Sequence, residues 1–206
     1  MATVASDDFS EADSTLIDGK SLDVGGTWTA YSGSLAEVQS GKYAEQASSS
    51  AGYSSLTDLG VADGIEISAD FYGPGSGALD FGLYARCQDV SNGWLALIEY
   101  SGVGGNGTLR LYEMPSFAVR DAVNVPNTTI QGTTTNLKVG LSGNDISVYL
   151  NGVLQFLYSS SSYSTETLAG VRNYVGAGGF VMVPIDNFLV ASGATGSPWY
   201  YYAQLQ

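Results

Sequence analysis

Apolar and polar residues alternate along much of this chain with a period of two, the pattern of strands that bury one face and wet the other. In IEISADF, residues 65–71, Ile65, Ile67, Ala69 and Phe71 fall on one side and Glu66, Ser68 and Asp70 on the other. The GPGSG at 73–77 breaks this run, and LDFGLYARC resumes it through Leu79, Phe81, Leu83 and Ala85, so a hairpin is expected there. NGWLALIEY and TLRLYEM, joined by the Gly-rich SGVGGNG, predict a second hairpin with Trp94, Ala96, Ile98 and Tyr100 on its apolar side. A third is DISVYLNGVLQFLY, where Asn151-Gly152 separates two alternating runs and supplies the positive φ angles of a type I′ turn. Leu137, Val139 and Leu141 mark a further strand ahead of it.

No stretch of a dozen residues carries a helical stripe, so no crossover helix is available to build a parallel sheet. The expected fold is therefore all-β, a two-layer antiparallel sandwich. The two ends echo each other in Asp7-Asp8-Phe9 and Asp186-Asn187-Phe188, which predicts neighbouring terminal strands that close the sandwich. At 206 residues with 44% hydrophobic and 13% charged positions, the chain is apolar enough to fold as one large domain.

Charge narrows the choice of partners. Seven basic residues face twenty acidic ones, and a net charge of -13 repels phosphate backbones and anionic lipid surfaces. Neither direct nucleic-acid binding nor membrane insertion is expected. No basic region followed by an apolar run opens the sequence, so no secretion signal is expected either. The single cysteine, Cys87, has no partner for an internal disulfide and is expected to be a small buried residue. The absence of histidine removes Ser-His-Asp and Cys-His catalysis and His-ligated metals.

The opening DDFSEADSTLIDGKSLDVGGTWTAYSGSLAEVQSGKYA resembles the start of concanavalin A-like (laminin-G-like) jelly-roll domains found in virion proteins of bacteriophages. GLYARCQDVSNGWLALIEY, DISVYLNGVLQFLY and VPIDNFLV are similar to the middle strands, Asn-Gly hairpin and closing strand of that family, and the resemblance spans residues 5–191. It implies a jelly-roll sandwich over residues 1–192 followed by an arm, residues 193–206. It also implies a non-enzymatic structural role in a virion assembled in the host cytoplasm, as capsid decoration or a tail-associated adhesion module. The implied partners are other virion proteins and further copies of the chain, with a trimer as one arrangement. The alternative is a module that recognises host-surface glycans, because the same fold serves both ends.

Sugar binding calls for aromatic rings beside polar groups, and Tyr84, Tyr112 and Tyr149 point away from the apolar faces of their strands. Outward tyrosines also pair across sheets without any ligand. Trp28 and Trp94 sit in apolar settings and belong to the expected core. Glycoside hydrolysis is the weakest alternative. It needs two carboxylates about 5 to 9 Å apart, and the E-x-D-x-E strand usual in glycosidases of this fold is absent. Glu66 and Asp70 share a strand face but stand roughly 13 Å apart, and Glu99 and Glu113 are the other glutamates a mutational test would address. No cofactor is expected. A structural calcium site would draw on Asp7, Asp8, Asp18 and Asp23, with Asp186 converging on them.

The chain ends in Trp199, Tyr200, Tyr201 and Tyr202 after the turn-prone ASGATGSP. Four such rings expose on the order of 600 Å² if left in water. The tail is therefore expected to be an interface arm, with docking on its own sandwich as the competing arrangement.

Overall fold

The computed structural model describes residues 1–31, 36–45, 52–73, 77–100, 106–174 and 183–193. Trp199 to Tyr202, and with them the expected arm, lie outside the described residues. The chain runs through β1 (Ala2–Asp7), β2 (Thr29–Ala30), β3 (Ala36–Val38), β4 (Tyr43–Glu45), β5 (Gly52–Asp58) and β6 (Ile65–Tyr72). It continues with β7 (Leu79–Asp89), β8 (Asn92–Tyr100), β9 (Gly107–Glu113), β10 (Ala118–Val125) and the four-residue α1 (Asn127–Ile130). The last strands are β11 (Thr134–Ser142), β12 (Asp145–Leu150), β13 (Val153–Ser159), β14 (Leu168–Tyr174) and β15 (Ile185–Ser192).

These strands form two antiparallel sheets. One has eight strands in the order β13-β12-β11-β6-β15-β4-β3, with β1 also paired to β15, and the other has seven in the order β10-β9-β8-β7-β14-β5-β2. The terminal strands pair as the Asp-Phe echo predicts, with Asp7 opposite Phe188. Beside that pair Phe9 and Phe188 both meet the Trp28 ring, at 6.1 and 4.8 Å between centroids. Trp28 and Trp94 are fully buried, as expected. The Asn151-Gly152 turn takes positive φ at both positions, and β12 and β13 pair on either side of it. The β8–β9 hairpin forms with Ala96 opposite Leu111.

The hairpin expected over residues 65–85 does not form. β6 pairs with β11 and β15 in the eight-stranded sheet, whereas β7 pairs with β8 and β14 in the seven-stranded one. Between them the chain crosses from one layer to the other, and Phe71 stacks on Phe81 across the core at 4.5 Å. Alternation identifies the buried face of a strand but not its partner. Two runs with matched apolar faces meet equally well edge to edge or face to face, and packed sheets stand only about 10 Å apart.

A second departure concerns the outer face of the seven-stranded sheet. Leu56, Tyr84, Cys87, Leu95, Leu97 and Tyr112 form a buried cluster there, separate from the main core, with Val90 and Leu168 packed against it. This sheet buries apolar side chains on both faces, so the alternation of NGWLALIEY describes only half of what that strand does.

Candidate functional site

Three neighbouring strands each carry a charged residue flanked on both sides by apolar ones: Asp80 in β7, Glu99 in β8 and Arg110 in β9. The inward positions Phe81, Ile98 and Leu109 lie in the main core, so the period of two turns all three charges to the outer face. Register then brings them together. Asp80 stands opposite Glu99, and Arg110 opposite Leu97, one step along. On the other side of β7, Arg172 of β14 stands opposite Gly82.

Hydrogen bonds join Glu99, Arg110 and Tyr112 into one network, and Arg172, Tyr84 and Ser54 into a second. Arg110 Nη1 is paired with Glu99 Oε2 and also donates to the Tyr112 hydroxyl at 3.1 Å. That hydroxyl in turn donates to Glu99 Oε1 at 2.9 Å. Nearby, Arg172 Nη1 donates to the Tyr84 hydroxyl, which shares a hydrogen bond with Ser54 Oγ. Burial holds the Tyr112 phenol above its usual value. Asp80 stands between these two sets, opposite Glu99 on one side and one strand from Arg172 on the other. Its Oδ1 is buried without a hydrogen-bond partner among the described residues. Burial pushes its carboxyl up to about 7, against the pull of Arg172 and with a further push from Glu99.

An apolar wall stands beside the first of these networks. Phe117, in the turn from β9 to β10, is 48% exposed, and Val119 on β10 is 49% exposed and opposite Tyr112. The Phe117 ring meets Tyr112 edge-on at 5.7 Å. Its backbone has φ +48°, a conformation that bulky residues rarely adopt and that costs roughly 1 kcal/mol or more. Arginine, carboxylate and phenol next to an exposed ring can hydrogen-bond hydroxyls while covering a C–H face.

Of the tyrosines singled out in the sequence, Tyr84 and Tyr112 thus share this face, but they are only 1% and 6% exposed. Their hydroxyls, not their ring faces, enter the two networks. Tyr149 lies on the outer face of the other sheet, with the Lys138 ammonium 4.5 Å over its ring. The exposed ring, Phe117, does not emerge from strand alternation because it sits in a turn. Asp80, Arg110 and Arg172 were legible as isolated charges inside apolar strands, a signal stronger than an outward tyrosine.

The aspartates named for calcium separate into different settings. Asp7, Glu11 and Asp23 place carboxylate oxygens within 4.8 Å of one another. Lys20 Nζ occupies that cluster, 2.6 Å from Asp7 and 2.7 Å from Glu11. Burial works against the Lys20 ammonium, but its bonds to Asp7 and Glu11 outweigh this and hold its pKa above the usual lysine value. Asp8 accepts from Ser10 and gives its amide to Asp23, and Asp18 caps the Ala30 amide. Asp186 belongs to β15 and interacts with Tyr72 and Lys42. Cys87 is fully buried, and burial pushes its thiol up to about 12, far from nucleophilic use. Glu66 is ion-paired with Lys138 and Glu113 with Arg120.

No family model matches the sequence, and no curated protein matches it either. Solved structures do share its fold. The carbohydrate-binding module CBM66 from Bacillus subtilis is 19% identical, with a TM-score of 0.60 over 80% of this chain and 95% of its own. The carbohydrate recognition domain of Emp47p is 15% identical, with a TM-score of 0.59 over 93% and 96%. An endo-beta-1,3-glucanase from Pyrococcus furiosus is 11% identical, with a TM-score of 0.63 over 94% and 95%. At such identities the likeness speaks for the fold, a two-sheet antiparallel jelly-roll sandwich of the concanavalin A-like kind.

Proposed function

We infer that this chain is a carbohydrate-binding domain whose ligand lies on the outer face of the seven-stranded sheet, between the Arg110–Glu99–Tyr112 network and Phe117. The observation that carries this reading is the pairing of a partly exposed guanidinium and carboxylate with a strained, exposed aromatic ring on one surface. A sugar offers hydroxyls to the first and a C–H face to the second. The fold neighbours support it, since two of the three above are named for carbohydrate binding or recognition. None of these three is named for a virion, so the order of the two readings drawn from the sequence is reversed. The virion role, the aromatic arm as an assembly contact and a trimeric state rest on the resemblance and the tail sequence alone.

The test is a glycan array followed by calorimetry on the best binder. Arg110→Ala and Phe117→Ala should each weaken binding about tenfold or more, the range for losing one well-placed contact, while Tyr149→Ala leaves it unchanged. Retained affinity in both variants, or an array without any binder, overturns the assignment.

A further inference from the structure

The carboxylates of this protein are, as a rule, well satisfied. Asp7 accepts from Lys20, Trp28 and the Phe9 amide. Asp70 accepts from Asn136 and Asn187. Asp58 accepts from Thr167 and the Gly60 amide. Two carboxylate oxygens among the described residues are buried without a hydrogen-bond partner, Glu11 Oε2 and Asp80 Oδ1. Glu11 is ion-paired with Lys20 through its other oxygen, whereas Asp80 has no ion pair among the described residues, and a buried polar atom without a partner requires a reason.

The groups facing Asp80 decide its chemistry. Opposite it on β8 stands Glu99, which is ion-paired with Arg110 of β9 and accepts from the Tyr112 hydroxyl. On β14 stands Arg172, whose positive charge opposes the effect of Glu99 and of burial. Two carboxylates directly opposite in a sheet repel when both are ionised. Burial, with a further push from the facing Glu99, raises the Asp80 carboxyl to about 7 against the pull of Arg172.

We propose that Asp80 is a ligand-contacting hydrogen-bond donor, so that this face holds neutral glycans while the Asp80 carboxyl carries its proton and releases them as it ionises. This rests on the carbohydrate-binding reading and adds to it the ligand class and the condition for release. A protonated carboxyl gives its O–H to a sugar hydroxyl or ring oxygen. An anionic sugar meets Glu99 at the same place and is disfavoured. A cationic amino sugar requires the opposite dependence on pH, because it pairs with the ionised form. The titration near 7 places the release within the physiological range.

The experiment measures affinity for a panel of neutral gluco-, manno- and fructo-oligosaccharides by calorimetry from pH 5 to pH 9, with the full chain. The expected Kd is flat at low pH and rises about tenfold per pH unit above 7, to about 100-fold at pH 9. Asp80→Asn, whose amide donates at every pH and never ionises, should bind with the low-pH affinity throughout. Asp80→Ala should bind weakly throughout. A pH-independent wild type, or an Asp80→Asn variant that follows the wild-type curve, overturns the proposal, as does binding that strengthens with pH. A carbon-13 NMR titration of the free protein tests it without any ligand, and an Asp80 carboxyl that titrates near 4 overturns it. If no panel member binds at any pH while Asp80 titrates near 7, the carbohydrate-binding reading fails and the release mechanism with it. Binding lost in Arg110→Ala but unaltered in Asp80→Ala overturns the Asp80 assignment alone.

Discussion

The two sheets of this sandwich have outer faces built from similar residue types and arranged in opposite ways. On the eight-stranded sheet several charges are closed by a neighbour: Lys138 with Glu66, and Asp70 with Asn136 and Asn187. Asp186 there accepts from Tyr72, and the aromatic ring of Tyr149 lies under an ammonium. On the seven-stranded sheet the apolar residues are buried, Phe117 and Val119 are exposed beside them, and Asp80 Oδ1 is buried without a hydrogen-bond partner among the described residues. On the first face these charged groups are met from within. The second has an exposed ring and a buried carboxyl oxygen without a hydrogen-bond partner, and this difference is what the proposed site rests on.

The strongest way to break the contrast is at the glycines. A β-carbon on Gly170 of β14 would overlap the Ser55 carbonyl oxygen, a backbone atom that cannot step aside. On the other sheet a β-carbon on Gly140 would come close to a side-chain atom and not to backbone, the Ser147 hydroxyl at 2.6 Å. Gly170→Ala should destabilise by roughly 3 kcal/mol or prevent folding, and Gly140→Ala by roughly 1 kcal/mol. Denaturant midpoints check both, and equal costs would show that the seven-stranded sheet is no more tightly constrained than its partner.

Asp80 gives the next largest effect. Its proton is held more tightly in the folded state, about 7 against the usual aspartate range, so its contribution to stability is complete below about pH 4 and lost as pH rises through 7. Asparagine cannot ionise. Asp80→Asn should therefore match the wild type at pH 4 and exceed it at pH 8, by at most about 4 kcal/mol and by roughly 2 after relaxation. Thermal melts at the two pH values read this directly, and a gain of equal size at both would mean that the carboxyl is not the cause.

A smaller contrast separates two tyrosines. Removing the Tyr112 hydroxyl leaves Glu99 Oε1 short of a donor and breaks the link to Arg110, so Tyr112→Phe should cost roughly 1 to 2 kcal/mol. The Tyr149 hydroxyl has no hydrogen bond among the described residues, and Tyr149→Phe should change the midpoint by less than roughly 0.5 kcal/mol.

Much of the architecture was legible in the sequence because alternation is a local property. The Asn151-Gly152 turn, the inner face of β8 and the pairing of the two ends follow from residues near in sequence or from a repeated pattern. Pairing of β6 with β11 and β15 was not legible, since it depends on which edge remains open after the other strands have paired. For the site the limit was of another kind. Trp94, Leu95, Ala96, Leu97 and Ile98 form an unbroken apolar run, which is the signature of a strand buried on both faces. The other half of that run, Leu95 and Leu97, is buried on the outer face together with Tyr84 and Tyr112. The proposed site adds to these tyrosines the charges Asp80, Glu99 and Arg110 and the turn residue Phe117.

The smallest predicted effect is the sharpest test of which face matters. Lys138 lies 3.1 Å from Glu66 and 4.5 Å over the Tyr149 ring, and both members of the ion pair are partly exposed. Solvent and salt screen such a pair, so it is worth well under 1 kcal/mol. Methionine keeps the apolar stem over the Tyr149 ring and removes only the charge. Lys138→Met should therefore cost less than roughly 0.5 kcal/mol beyond the cation–ring attraction, and the cost should shrink further in 1 M salt. Glycan affinity should not move, whereas Arg110→Met, the same chemical change on the other sheet, should lower it about tenfold or more. If Lys138→Met instead abolishes binding while Arg110→Met preserves it, the ligand lies on the eight-stranded sheet, and the satisfied face is the functional one.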